Sequence, residues 1–255
     1  MAGTVLDQIV AEVRKDVARR KRKDPDLSDR LTKIVDFEGA LRRARTPALI
    51  AEIKPKSPSG GELLPGVRPE RQAKAYVEGG ADAISVLTEP KFFGGDPEHL
   101  VAVRQEFESV PLLRKDFILD PFQVEEAYAY EADAVLLMVS VLGPRLGEML
   151  DAAKEQKLQA LVEVHDEREL DAALKAGATL VGVNNRNMGT LEVDLGVTER
   201  LAERVPDSVF LVSESGVERP EDVKRAVKAG ADGILVGTAL MRAKDPAALL
   251  RSLRP

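Results

Sequence analysis

The chain has 255 residues, 44% hydrophobic and 31% charged, with a formal net charge of −6, enough for a large core inside a single α/β barrel. It has no cysteine and two histidines, His99 and His165, which excludes disulfides, a thiolate nucleophile, Cys-bound metal and a His-rich metal site. The acidic balance and the 4% aromatic content speak against a nucleic-acid surface, which needs a basic face and stacking rings, and no apolar run reaches membrane-spanning length.

Leu6, Ile9, Val10, Val13 and Val17 recur at helical spacing with Arg and Lys between them, which predicts an amphipathic helix. Asp7, Glu12 and Asp16 interrupt its basic side, so it reads poorly as a targeting helix. Residues 1–47 are expected to form an extension: one long helix, a charged turn over 21–29 and a second short helix. Strands are then predicted over about 48–53, 83–88, 110–115, 134–140, 159–164, 180–184, 209–213 and 233–237. One phrase recurs before four of them, beginning at Glu78, Tyr130, Lys175 and Lys228. Each copy is a helix end, a small-residue stop and a short apolar run, the mark of a βα repeat around a parallel sheet covered on both faces. Asp96-Pro97, Asp120-Pro121, Pro144, Asp166, Asp194, Pro220 and Asp245-Pro246 supply helix starts. Eight such units close most naturally as a (β/α)8 TIM barrel. An open doubly wound sheet would carry a Gly-rich loop after its first strand, whereas this strand runs into Lys54-Pro-Lys-Ser-Pro-Ser59. The expected fold is therefore a single α/β domain over 1–255, a (β/α)8 barrel with an N-terminal helical extension.

Chemistry in such a barrel sits at the C-terminal ends of the strands. Those ends carry Glu52, Lys54 and Ser57; Ser85 and Thr88-Glu89; Arg114-Lys115-Asp116; Glu163 and His165; Asn184 and Arg186; Ser213-Glu-Ser-Gly216; and Gly237-Thr238. Strand alternation lets Glu52, Lys54, Lys115, Glu163, Asn184 and Glu214 face the axis together. Opposite charges packed this way are where pKa values are tuned for catalysis. The small residues of Ser213–Gly216 and Leu235–Thr238 hold the two positions where barrels often bind phosphate. His165 reads as a helix cap or as a group acting behind Glu163 rather than as a general base, and His99 as a surface residue. The Phe92-Phe-Gly-Gly95 loop reads as an aromatic wall or lid.

Glu52-Ile-Lys54-Pro-Lys-Ser57-Pro-Ser, Ser85–Gly94, Leu113-Arg-Lys115-Asp-Phe, Leu161-Val-Glu163-Val-His, Gly182-Val-Asn184-Asn-Arg186, Ser213–Gly216 and Val236-Gly-Thr238 run in order along nearly the whole chain. Together they resemble the indole-3-glycerol phosphate synthase family of tryptophan biosynthesis. The resemblance implies that 1-(2-carboxyphenylamino)-1-deoxyribulose 5-phosphate is closed to indole-3-glycerol phosphate with loss of carbon dioxide and water. It implies Lys115 as general acid, Glu163 as the group that exchanges protons in the later steps, Lys54 as a charge-neutralising anion contact, and Glu52 as the orienter of both lysines. Asn184, Glu214 and Ser215 resemble sugar-hydroxyl binders, with Arg186 an anion or hydroxyl contact. Ser57, Ser215, Gly216, Gly237 and Thr238 resemble phosphate contacts alongside Leu235, and Pro58, Phe92 and Phe117 could wall the aromatic ring. Pro55 and Thr238 depart slightly from the family pattern.

A phosphosugar isomerase or a Schiff-base aldolase on the same barrel is the alternative enzyme class, and a phosphate-ligand binding barrel or assembly scaffold is the non-enzyme alternative. The expected partner is a phosphorylated small molecule, with other tryptophan-pathway enzymes as further candidates. No cofactor, metal, nucleic acid or membrane is expected, and the expected location is cytoplasmic.

Overall fold

The computed structural model describes residues 4–58 and 60–254. Eight parallel strands close on themselves: β1 (Ala48–Ile53), β2 (Ala83–Leu87), β3 (Leu112–Lys115), β4 (Ala134–Met138), β5 (Gln159–Val164), β6 (Leu180–Asn184), β7 (Phe210–Glu214) and β8 (Gly233–Val236). Ring closure is direct, with Ala48 of β1 in register with Gly233 of β8 and Ile50 with Ala83 of β2. The barrel is the one expected.

Strand ends differ from the expected ones by a residue or two. β3 begins later because Pro111 has no N–H to give, although its carbonyl accepts from Ile84 at 2.9 Å. β4 stops at Met138, where Val139–Leu142 coils into a helical turn. A two-stranded ribbon, Lys56–Ser57 against Gly61–Glu62, follows β1 and was not foreseen. Ser59 lies outside the described residues, as do residues 1–3 of the extension.

Alternation sorts the core into two layers. Leu49, Ala51 and Ile53 of β1 face the helices, as do Val162 and Val164 of β5. Ala48, Ile50, Leu113, Leu136, Leu161, Leu180, Val212 and Leu235 fill the barrel interior. The inward positions turn polar toward the C-terminal ends, so the interior is sealed below and chemically equipped above.

The extension uses both ends of the barrel. Helix α1 (Val5–Lys21) starts with a capping box in which Thr4 and Asp7 satisfy each other's exposed groups. Its buried stripe, Ile9, Val13 and Val17, belongs to the same apolar cluster as Phe117, Leu119 and Phe122 beyond β3. Its polar side pairs Glu12 with Lys91 at 2.9 Å, Arg20 with Glu126 at 2.7 Å and Lys21 with Asp120 at 2.9 Å. Thus α1 straps the loops of the barrel mouth. Helix α2 (Phe37–Arg43) plugs the opposite end: Phe37 and Leu41 join the interior cluster, and the Arg42 guanidinium lies 5.5 Å from the Phe210 ring centroid.

The segment between α1 and α2 is pinned by Arg30. Its guanidinium donates to Asp133 at 2.8 Å and to the Thr32 carbonyl at 3.0 Å, and it also reaches the Ala132 carbonyl. Arg104 binds the other oxygen of Asp133. The Arg30 side chain is 2% exposed and that of Asp133 is fully buried. Arg30→Ala should therefore lower unfolding stability by about 3 kcal/mol or more, the scale for breaking a buried ion pair. The urea midpoint measures it, and a shift within error would mean that Arg104 alone holds Asp133.

Candidate active site

The polar upper layer of the barrel lines a cleft of about 430 Å³ under the mouth. Every residue predicted for the site lines it except Phe92. Glu52, Lys115, Glu163, Asn184 and Glu214 come from five different strands, and Lys54 immediately follows β1.

Lys115 is the hub. Its Nζ lies 3.3 Å from Glu163 Oε2 and 3.5 Å from Glu214 Oε2. Burial opposes its charge, but Glu163, Glu214 and Glu52 outweigh burial and raise its pKa well above that of an ordinary lysine. Burial pushes Glu163 upward, yet Lys115, His165 and a 3.1 Å hydrogen bond from Asn184 Nδ2 hold it far below the usual carboxylate range. Glu214 goes the other way. Burial, with Glu163 and Glu52 adding to it, pushes it up to about 8 despite Lys115. Two neighbouring carboxyls driven in opposite directions are the arrangement from which acid and base roles are drawn. Among the described residues, Glu214 Oε1 is buried without a hydrogen-bond partner.

Glu52 pairs with Lys54 Nζ at 3.0 Å and accepts from Ser85 Oγ at 3.3 Å. Close packing with glycine sets two of these carboxylates. A Cβ on Gly182 would fall 2.0 Å from Glu214 Oε1, and one on Gly237 would fall 2.5 Å from Glu52 Oε1. Small residues on β6 and just past β8 therefore leave the space that the acids occupy.

The corner between β7 and β8 is built from backbone. Ser215 and Gly216 both take left-handed conformations, at φ +65° and +86°. Such a turn gathers amide N–H groups into an anion-binding concavity. A Cβ on Gly216 would meet Val193 Cγ1 at 2.5 Å. Opposite stands the short helical turn Thr238–Arg242, whose first amides lack intrahelical acceptors.

Other predicted residues have divided duties. Ser57 Oγ accepts from the Gly60 amide at 3.0 Å while facing the cleft. Arg186 donates to the Leu191 carbonyl at 2.7 Å, tying down the loop beyond β6. The aromatic wall is built differently from the expectation. Glu89 accepts from the amides of Lys91, Phe92 and Phe93 and winds Pro90–Phe93 into a helical turn, so successive rings point about 100° apart. Phe93, not Phe92, lines the cleft, with its ring centroid 5.9 Å from that of Phe117. Phe92 lies 5.7 Å beneath the Lys91 ammonium instead. His99 is half-buried rather than a surface residue, and burial lowers its pKa.

Three contributors had no role in the sequence reading. Arg114 points outward from Lys115 and with Thr88 binds Asp116, whose other oxygen accepts from the Phe117 amide at 2.8 Å. Asn185 donates to the carbonyls of Glu214 and Ser215 at 2.9 and 3.1 Å, fixing the Ser215–Gly216 turn from behind. Arg242 lines the cleft four residues beyond Thr238, a spacing that puts both on one helical face.

The sequence profile of the family described as Indole-3-glycerol phosphate synthase matches residues 6–253. The chain belongs to the indole-3-glycerol phosphate synthase family. It is 44% identical over 259 residues to Indole-3-glycerol phosphate synthase 2 of Streptomyces coelicolor, covering 99% of both chains. It is 48% identical over 257 residues to the indole-3-glycerol phosphate synthase of Deinococcus radiodurans, covering 98% of this chain and 94% of that one. Among solved structures, 3-hexulose-6-phosphate synthase from Salmonella typhimurium superposes with a TM-score of 0.67 at 18% identity, over 81% of this chain and 96% of that chain; this likeness concerns the fold. Membership in the synthase family assigns the chain a decarboxylating and dehydrating ring closure in tryptophan biosynthesis, on a phosphorylated small-molecule substrate. Among the described residues, no helix of this synthase-family chain is long and apolar enough to cross a membrane.

Proposed function

We propose that this cleft closes the indole ring of 1-(2-carboxyphenylamino)-1-deoxyribulose 5-phosphate with Lys115 as general acid. The observation that carries the reading is Lys115 Nζ placed between Glu163 and Glu214, with its pKa raised by those carboxylates. The carboxylates keep Lys115 protonated at neutral pH, so its ammonium carries the proton that the ketone oxygen takes as the carboxylated ring carbon attacks it. A Schiff-base lysine needs the opposite environment, one that favours the neutral amine, so the aldolase alternative loses support. Carbon dioxide leaves as the ring-carbon electrons return. Glu163, ionised and 1% exposed, then takes the ring proton and passes a proton to the departing hydroxyl.

The remaining residues position the substrate in this scheme. Glu214, Asn184 and Ser215 receive the sugar hydroxyls. Lys54, oriented by Glu52, neutralises an anionic end. Ser57, Ser215, Gly216, Leu235, Gly237 and Thr238 surround the phosphate, with Arg242 added to them. Arg186 supplies a further anion or hydroxyl contact. Pro58, Phe117 and Phe93 wall the aromatic ring. The reading needs no cofactor, nucleic acid or membrane. It places the chain in the cytoplasm with the substrate as its partner, and other enzymes of the pathway as possible neighbours.

The direct test is to supply the carboxyphenylamino substrate and follow the fluorescence of the indole product. Binding without turnover would overturn the reading in favour of a phosphate-ligand binder. For the phosphate corner, Gly216→Asp places a carboxylate and a crowded Cβ beside the bound dianion. KM should rise about tenfold or more, the scale of one unfavourable charged contact in a partly buried site. An unchanged KM would move the phosphate elsewhere.

A further inference from the structure

His165 leaves the barrel just past β5 and turns its ring away from the cleft into a second recess. Its Nδ1 lies 3.0 Å from Glu169 Oε2, in the first turn of helix Glu167–Lys175, and its Nε2 lies 3.3 Å from Glu163 Oε1. The same Glu169 oxygen accepts the His165 backbone N–H at 2.8 Å, so one carboxylate fixes both ring and main chain. The Nε2 contact has ion-pair distance without hydrogen-bond alignment. Its partner, Glu163 Oε1, already accepts from Asn184, while Oε2 faces Lys115. The two oxygens of Glu163 thus answer to different cations, Lys115 on the cleft side and His165 behind.

We propose that His165, clamped by Glu169, is a positioning residue for Glu163: it holds the carboxylate toward the cleft from behind and remains as its counter-ion when Lys115 gives up a proton. The inference rests on the Lys115–Glu163 reading above. The chemistry requires something of this kind. At the moment the ketone is protonated, Lys115 becomes a neutral amine, and Glu163 and Glu214 lose the cation between them. A second cation that does not take part in the transfer keeps Glu163 ionised and in place for the next step. Burial works against charge on His165, but Glu163 and Glu169 outweigh it and push the ring up to about 10, so it carries charge throughout the neutral range.

Other groups bear on the same titration. Arg186, Glu192 and Asp194 face the recess from the loop after β6, and Arg200 faces it from the helix Gly196–Ala202. Lys115, Glu214, Glu52 and Lys54 face Glu163 across the cleft. Arg186 donates to Leu191, and Arg200 lies 3.4 Å from Asp194. Those two cations are therefore engaged elsewhere, and the nearest positive charge behind Glu163 is that of His165.

The test compares His165→Ala, His165→Asn and Glu169→Gln by the pH dependence of kcat and kcat/KM. His165→Ala loses both charge and support. Its kcat should fall about tenfold or more through misplacement of Glu163, and the acid limb of its profile should move up by about one pH unit or more through loss of an opposite charge. His165→Asn restores a hydrogen-bonding side chain without charge, so kcat on the alkaline side should recover while the acid limb stays displaced. Glu169→Gln should move the limb the same way by less. If His165→Ala does not fold, the other two variants carry the comparison. An acid limb in the wild-type position in both, or no recovery of kcat in His165→Asn relative to His165→Ala, overturns the inference. Glu163→Gln separates the two levels. Near-normal turnover in that variant sinks the Lys115–Glu163 reading itself, whereas a crippled Glu163→Gln beside an unmoved limb in the His165 variants sinks only the role of His165.

Discussion

Replacing Lys115 by alanine is expected to lower kcat by about 10²-fold or more, the usual scale for losing a positioned general acid, while KM stays within a few-fold. The split follows from the geometry. Lys115 touches Glu163 and Glu214 at the depth of the cleft, whereas the contacts assigned to phosphate and sugar lie around it and remain. A variant with near-normal kcat would remove Lys115 from the mechanism. The substitution also has a signature in stability. Glu214 is pushed up to about 8 by folding, and a carboxyl raised in this way favours the folded state where it is protonated. Its contribution is present below its unfolded pKa and is lost as pH rises through about 8. Without the Lys115 charge the loss deepens. The urea midpoint of Lys115→Ala should therefore fall further below that of the wild type as pH rises through this range.

Glu163→Gln is the second large effect, and its measurement differs. The amide keeps the shape of the side chain and can still meet Asn184, but it cannot exchange the proton of the late steps. Substrate should bind, and single-turnover carbon dioxide release should outlast indole formation. The loss in indole formation should again be about 10²-fold or more. Equal and fast release of both products would end the late-step assignment. If both vanish together, Glu163 acts earlier, by holding Lys115 for ring closure.

The barrel was legible because its signals are local and repeated. Four copies of one helix–stop–strand phrase, each entering an apolar run, leave few topologies open. The inner polar layer was legible for a related reason. Alternation fixes the side on which a residue lies once the strand is known, so Glu52, Lys115, Glu163, Asn184 and Glu214 could be grouped before any contact was seen. The failures are of another kind. Phe92 and Phe93 are adjacent, and which one faces the cleft depends on a helical turn that Glu89 caps through three amides. Nothing in the periodicity announces a single turn of that length. Arg114 stands beside Lys115 in the chain without a role of its own, and the same alternation that turns Lys115 inward sends it into the helix layer. Asn185 was visible within the Asn184–Arg186 motif, yet its work is on the backbone of another strand, and side-chain-to-backbone bonds across strands leave no sequence pattern. The segment leading into α2 is held by Arg30, Arg104 and Asp133, which meet from distant parts of the chain.

The left-handed turn at Ser215 has a consequence for anyone improving this protein by selection. A serine at φ +65° carries a backbone cost of roughly 1 kcal/mol or more that glycine would largely escape. A screen for heat resistance alone would accordingly favour Ser215→Gly, and the variant would survive heating better while surrendering a hydroxyl that lines the cleft. With Ser215 in the substrate-binding role proposed above, durability and turnover pull against each other at one residue. A library that leaves position 215 free should therefore be sorted on product formed after heating, so that a sturdier but slower chain is not mistaken for a better one.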